Sequence, residues 1–445
     1  MRRRNIVLLQ LGILLFATLL SGCAVQPADG LYALPRQSDE YYQLQSAIDG
    51  VMGHYSVYAG PLTGSNQQAV QLADLDGDGT EEALAFVRTT GEKPLKVYIF
   101  DETQEGTYEN IAVIEGDGSA FDAVDYVQLD DQPGLEILLG RRLSDQILRS
   151  LSVYSYQNGD MIQRLTANYT EYTVTDLDND DCREVFVLRT EGETGGTAEL
   201  YHFRQGRIIR EREAELSQGA KQVRRILSGF VSPGVPAVFV ASSFGDTSIV
   251  TDIFTFRNSQ FSNVATDAQS GLSAQTVRYY NVYASDIDSD GLIELPAPVA
   301  LPSANAQEQT HWVIEWYNLQ QNGEKLVKVT TYHDYQGGWY LEIPKNWTGQ
   351  LSVSENTETF GLPAVVFSRW NGREKAPQVI FSLYTLTGED RMAQIQDKGL
   401  LLLAEKGETA YAARLGSCGW AKTLSQGKLR TMFHFIQVDW NSGER

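Results

Sequence analysis

Three short stretches of this 445-residue chain carry carboxylates at one spacing. They are Asp74-Leu75-Asp76-Gly77-Asp78-Gly79-Thr80-Glu81-Glu82, Asp176-Leu177-Asp178-Asn179-Asp180-Asp181-Cys182-Arg183-Glu184 and Asp286-Ile287-Asp288-Ser289-Asp290-Gly291-Leu292-Ile293-Glu294. Each reads D-hydrophobic-D-x-D-x-x-x-E. Carboxylates this dense repel one another unless a cation sits among them. Ca2+ takes about six to eight oxygens at roughly 2.4 Å in a flexible arrangement. Side chains at positions 1, 3 and 5 of a tight loop converge on one point; a backbone carbonyl at position 7 and an acid at position 9 complete the cage. In the first loop these are Asp74, Asp76, Asp78, the Thr80 carbonyl and Glu82. In the second intact loop they are Asp176, Asp178, Asp180, the Cys182 carbonyl and Glu184. In the third they are Asp286, Asp288, Asp290, the Leu292 carbonyl and Glu294. Gly79 and Gly291 at position 6 allow the positive φ of a sharp turn; Asp181 holds that place in the middle loop, and Asp tolerates it moderately. The spacing ends at position 9 and strand-like sequence flanks it, so these are not EF-hands. The alternative is a solvated Asp/Gly turn between strands. Three matching copies favour structural Ca2+. A catalytic metal needs an open position beside other polar groups, and the sequence presents none.

The loops belong to a longer repeat. Residues 128–136 form a worn copy that keeps Asp130 and Glu136 and reads as metal-free. Residues 229–237 form a copy without acids, still followed by an apolar run. The five copies end at 82, 136, 184, 237 and 294, in steps of 54, 48, 53 and 57. Within a unit, runs such as EALAFV, LKVYIF, YENIAVI and FDAVDYVQL are rich in Val, Ile, Tyr and Phe and separated by turn residues. That predicts four strands per unit and a mainly β fold. Four-stranded units repeated radially make a β-propeller. The repeat resembles the FG-GAP/VCBS propeller repeat of integrin-like and bacterial surface proteins, over roughly residues 60–335. The resemblance implies five blades, with Ca2+ bound in the loop between the first and second strands of a blade. The FG-GAP letters themselves are missing. Closure of the ring would set Gln71 beside the last unit, near Val327.

The ends differ. Arg2, Arg3 and Arg4 precede an apolar run over residues 6–20, too short to span a bilayer comfortably and suited to a secretory signal. It ends in Leu20-Ser21-Gly22-Cys23, which resembles a bacterial lipobox. That implies a signal peptide over residues 1–22 and lipid on Cys23. The protein would then sit on the extracytoplasmic face of the cell membrane. Residues 23–59 read as a tether and a capping helix, with Tyr41, Leu44, Ile48 and Met52 at helical spacing. Residues 336–445 read as a small α+β domain holding Trp339, Trp347, Trp370, Trp420 and Trp440. Its opening W-Y-L-x-I-P-x-x-W is similar to PsbP-type domains.

The remaining composition narrows the function. A formal charge of −21 argues against nucleic acid and for a bound cation. With Cys23 lipidated, only Cys182 and Cys418 remain, so there is no disulfide framework. The five histidines, His54, His202, His311, His333 and His434, form no metalloprotease motif. Cys418 with His434 reads as packing rather than as a catalytic pair. Two function classes follow. One is a non-catalytic, lipid-anchored module that binds a protein or a glycan. The other is an exported glycan-active hydrolase or lyase with its site in the propeller funnel. The anchor is tested directly: Cys23→Ser should move the protein from the membrane fraction to the soluble one. Retention on membranes through a high-salt wash would refute it.

Overall fold

The structure is a computed structural model that describes residues 39–143, 149–157, 159–190, 195–204, 206–303, 310–319, 324–356, 360–372 and 375–436. The signal segment, Cys23 and Trp440 lie outside the described residues. The described chain is mainly antiparallel β, in six sheets. The first contains Val57–Tyr58, Val70–Ala73, Glu82–Arg88, Leu95–Glu102 and Tyr108–Gly116. The second contains Ala120–Val127, Glu136–Arg142, Arg149–Gln157 and Asp160–Tyr169. The third contains Glu171–Thr175, Glu184–Thr190, Gly196–Arg204 and Arg207–Glu215. The fourth contains Ala220–Ser232, Val235–Phe244, Ser248–Arg257 and Gln260–Asn263. The second to fourth sheets are four-stranded meanders with strands in chain order, as the repeat predicts.

Burial explains why these sheets stack. Central strands such as Glu82–Arg88 and Glu184–Thr190 are buried along nearly their whole length, so both faces are covered. Last strands such as Arg207–Glu215 are largely exposed. Leu84, Phe86, Val97 and Ile99 of the first sheet pack on Phe121, Ile137 and Leu139 of the second. Leu151 and Val153 then meet Val185 and Val187 of the third. Phe186 and Leu188 meet Val238 and Phe254 of the fourth. Ala237 and Phe239 meet Leu295 and Tyr317 of the fifth. Hydrogen bonds also join successive first-position strands: Tyr126 donates to Gln71 (2.9 Å) and Tyr172 to Asp125 (2.6 Å). Among the described residues, no core cluster joins the first sheet to the fifth or sixth. Gln71 is tied to Tyr126 of the second sheet, and Val327 packs at the joint of the fourth and fifth. The expected neighbourhood of Gln71 and Val327 is therefore not among these contacts.

The expected boundary at 335/336 needs correction. The fifth sheet contains Leu295–Ala300, Trp312–Leu319, Lys325–Asp334, Trp339–Glu342 and Phe433–Phe435. Its fourth strand is the W-Y-L-E segment assigned from sequence to the last domain. His333 pairs with Tyr340, and Tyr340 with His434. Only two intervening glycines of the turn, Gly337 and Gly338, make the aromatic strand look like a fresh start. The sixth sheet contains Leu351–Asn356, Ala364–Arg369, Gln378–Thr387, Leu401–Lys406 and Thr409–Leu415, with helices Arg391–Asp397 and Gln426–Met432. The latter helix occupies the start of a segment expected as strand. Ser425 caps it by accepting the Lys428 N–H.

The helix near the N-terminus is Asp39–Val51. Leu44, Ile48 and Met52 pack on Ala83, Ala85 and Phe100 of the first sheet, whereas Tyr41 is exposed. Trp339 and Trp347 are buried where the fifth and sixth sheets meet; Trp347 stacks on Trp420 with ring centroids 5.3 Å apart. These tryptophans point into a core, not towards a partner. Trp339→Ala should therefore cost about 3–5 kcal/mol, read as a large fall in the midpoint of denaturant unfolding.

Candidate functional site

The three intact acidic loops share one hydrogen-bond skeleton. In each, the Asp at position 1 accepts the N–H of position 6: Gly79 to Asp74 (3.1 Å), Asp181 to Asp176 (3.2 Å) and Gly291 to Asp286 (3.0 Å). The Asp at position 5 accepts the N–H of position 7: Thr80 to Asp78 (2.7 Å), Cys182 to Asp180 (2.9 Å) and Leu292 to Asp290 (2.9 Å). Position 6 is left-handed in all three, with φ of 90° at Gly79, 68° at Asp181 and 86° at Gly291. These turns fold the side chains of positions 1, 3 and 5 inward. One ligand oxygen each from Asp74, Asp76 and Asp78 lies within 4.8 Å of the others, and so for Asp176, Asp178 and Asp180. In the last intact loop Asp286, Asp288, Asp290 and Glu294 form one such group. These clusters could hold a metal ion. Glu82 stands outside the group of its own loop.

Position 9 does a second job. Its carboxylate reaches back to the N–H of position 2, at the far side of the loop. Leu75 donates to Glu82 (2.6 Å), Leu177 to Glu184 (2.7 Å) and Ile287 to Glu294 (3.2 Å). The worn copy keeps this bond, Leu129 to Glu136 at 2.9 Å. All four glutamates are buried. Burial, reinforced by neighbouring aspartates, pushes Glu82 and Glu294 up to about 7 and Glu184 up to about 8. Glu136 is raised as well, chiefly by burial.

What faces this glutamate differs between units. Val185 pairs with Tyr201, so Glu184 comes across from His202, 3.5 Å from its Nε2. The same register brings Ser155 to Glu136 (3.2 Å) and Asn318 to Glu294 (2.7 Å). In the first unit Ala83 pairs with Phe100, which sets Asp101 across from Glu82. Sequence reasoning missed His202 because its signal is strand register, not loop spacing. Asp178, Glu184 and His202 form a further group that could hold a metal. Near Glu294, Lys328 forms an ion pair with Asp290 at 2.7 Å and holds that carboxyl below its ordinary value.

Two clefts flank the fifth sheet. One is lined by Arg278, Tyr279, Tyr280, Trp312 and Lys325. Arg278 is 3% exposed; its Nη1 donates to Thr251 Oγ1 (2.9 Å), and its Nη2 has no hydrogen-bond partner. Burial lowers it to about 10, so it stays a cation at neutral pH. Tyr279 is 81% exposed. The other cleft lies between the fifth and sixth sheets, with His311, His333, Asp334, Tyr335 and Glu355 in its wall. His333 is buried and pushed down to about 3, so it is neutral.

No known protein family matches the chain, and no curated protein does. Two solved structures are similar to it in part. A rhamnogalacturonan lyase, YesW, has 13% identity and a TM-score of 0.28 over 70% of this chain and 72% of its own. An exo-type rhamnogalacturonan lyase, YesX, has 12% identity and a TM-score of 0.28 over 73% and 67%. Likeness at that level carries no argument about fold or activity. No described helix is long and apolar enough to cross a membrane.

The buried glutamates set a pH dependence for the metal-free protein. A glutamate raised from an ordinary value of 4.5 to about 7 or 8 binds more protons in the native state. Stability then falls as pH rises through that window. His202, pushed down by burial, acts in the opposite sense below its ordinary value of 6.5. The decline should thus be clearest from about pH 6.5 to 8, as a falling melting temperature in chelator. Glu184→Gln should flatten it. A melting temperature that is level or rising there would contradict the assignment.

Proposed function

We propose that the protein is a lipid-anchored, Ca2+-stabilised binding module of the FG-GAP/VCBS type, displayed on the extracytoplasmic face of the cell membrane. Its stacked sheets serve as propeller blades. Its ligand is a glycan bearing acidic groups. Ca2+ fits the hard oxygen donors at positions 1, 3 and 5 of the loops, with Thr80, Cys182 and Leu292 offering backbone carbonyls. The cation lowers the cost of ionising buried Glu82 and Glu294 and fixes the loops that shape the sheet ends.

The cleft of Arg278, Tyr279, Tyr280, Trp312 and Lys325 carries the functional reading. Among the described residues two cations and three aromatic rings line it, with no carboxylate. Sugar rings stack on aromatic faces, and the exposed Lys325 suits a carboxylate, with the enclosed Arg278 guanidinium adding positive charge behind it. The overall charge of −21 opposes any polyanion at low ionic strength, but at physiological salt charges more than about 8 Å away are largely screened and the cations of the cleft act locally. A glycan-active hydrolase or lyase is the competing reading. Asp334 and Glu355 in the second cleft would be its acids.

The test is retention of the protein by a polyuronate and by a neutral glucan, in Ca2+ and in EDTA. Polyuronate should be preferred, Trp312→Ala should bind it about three- to tenfold more weakly, and no chain cleavage should appear. EDTA should lower the melting temperature, and Asp76→Ala, Asp178→Ala and Asp288→Ala should each reduce the response to Ca2+. At free Ca2+ one hundred times the dissociation constant, each site adds about 2.7 kcal/mol. Equal binding of both polymers refutes the acidic-glycan reading; cleavage products favour the enzyme; identical melting in Ca2+ and EDTA removes the calcium.

A further inference from the structure

The third sheet holds a histidine that the calcium scheme does not use. His202 is 4% exposed, and neither ring nitrogen has a hydrogen-bond partner. A buried imidazole left without partners forfeits the hydration of two polar atoms. Its Nε2 is aimed at two carboxylates, 3.5 Å from Glu184 Oε1 and 4.0 Å from Asp178 Oδ2. Asp178 Oδ1 is likewise buried without a partner. We infer that His202, with Asp178 and Glu184 drawn from the middle acidic loop, forms a metal site that selects a nitrogen-seeking divalent cation, Zn2+ above all, over Ca2+.

Size, chemistry and surroundings support the assignment. Zn2+ binds imidazole nitrogen and carboxylate oxygen at about 2.0–2.2 Å, which in a tetrahedron separates ligand atoms by roughly 3.3–3.5 Å. The three side chains need only small adjustments to meet that. Ca2+ is a hard cation that takes oxygen ligands, whereas imidazole suits Zn2+ and its first-row neighbours. On the far side of the ring, Glu211 Oε2 stands 3.9 Å from Nδ1. A carboxylate behind a metal-bound histidine fixes its tautomer and raises its basicity. Phe256 meets the ring edge-on at 5.3 Å and sets its plane. The other units have Asp101, Ser155, Thr255 and Asn318 at the corresponding cross-strand place, so only this one offers a nitrogen lone pair. The inference is independent of Ca2+ in the first and last loops; in the middle loop Zn2+ and Ca2+ compete for Asp178 and Glu184.

Co2+ reports such a site through its visible absorption. The full-length protein, stripped with chelator and then given excess Ca2+, should bind one equivalent of Co2+ with a visible band that stoichiometric Zn2+ abolishes. His202→Phe, which keeps the ring against Phe256, should lose that band while its melting temperature still rises with Ca2+. X-ray absorption of wild-type protein holding one equivalent of Zn2+ should show one imidazole among oxygen ligands. This measurement decides the matter if His202→Phe does not fold. The proposal is overturned by no Co2+ uptake in Ca2+, by an unchanged band in His202→Phe, or by an oxygen-only shell around zinc.

Discussion

A buried carboxylate that closes a loop is the constraint on which the architecture rests. Glu82, Glu136 and Glu184 each begin a central strand, Glu294 immediately precedes the strand Leu295–Ala300, and each accepts the N–H of the residue seven positions earlier. One hydrogen bond fixes where the hairpin turns and where the strand starts. It also commits a charge to the interior. A buried carboxylate with one or two neutral donors remains poorly compensated, and adjacent aspartates make it worse. The structure answers this differently in each unit: with Ser155 beside Glu136, with Asn318 beside Glu294, and with acid clusters suited to a cation.

The loops also lean on one another. An added Cβ at Gly77 would come within 2.2 Å of Pro133 Cβ, and one at Gly134 within 2.4 Å of the Leu75 carbonyl oxygen. The first intact loop is thus seated on the worn copy, and Leu135 donates to Asp74 O at 3.0 Å. Asn179 of the next intact loop donates to Gly234 O, in the copy without acids. Loss of acids in these copies is therefore compatible with a retained role. Their turns are docking surfaces for the neighbouring loop, and a second acid cluster at that distance would add repulsion. The serial packing of sheets needs this support at their ends, because each central strand buries both faces and cannot stand alone.

The strands and their grouping in fours were legible because they depend on local pattern. Apolar runs broken by Gly, Asp and Asn reported hairpins, and the D-x-D-x-D spacing reported the loops. What was not legible depends on register and on side chains that meet through space. His202 lies 18 residues beyond Glu184, Ser155 19 beyond Glu136, and Asn318 24 beyond Glu294. No loop motif spans such gaps, and a one-residue slip would replace each with a neighbour on the other face. Arg278 escaped for a similar reason: it lies in a segment without strong pattern and is enclosed by Thr251, Thr276 and Val282. The boundary at 335 was misplaced because Trp339 and Tyr340 resemble the opening of a new domain. Their pairing with Asp334 and His333 is a tertiary fact.

The four glutamate loops form a natural series in which one scaffold meets four partners. Where the partner is Asp101, the pocket gains negative charge that a bound proton or a cation must balance. Where it is Ser155, the hydroxyl adds a hydrogen bond to Glu136 and no charge, while burial and Asp130 still raise that glutamate. Where it is Asn318, the amide donates to Glu294 and Lys328 already holds Asp290, so a cation must compete with a resident ammonium. Where it is His202, an uncharged nitrogen adds a lone pair without adding charge. Demand for a cation is thus set less by the loop motif, which is nearly constant, than by the residue across the hairpin. The same D-x-D-x-D spacing can accordingly mark sites of unequal affinity and unequal metal preference along one chain.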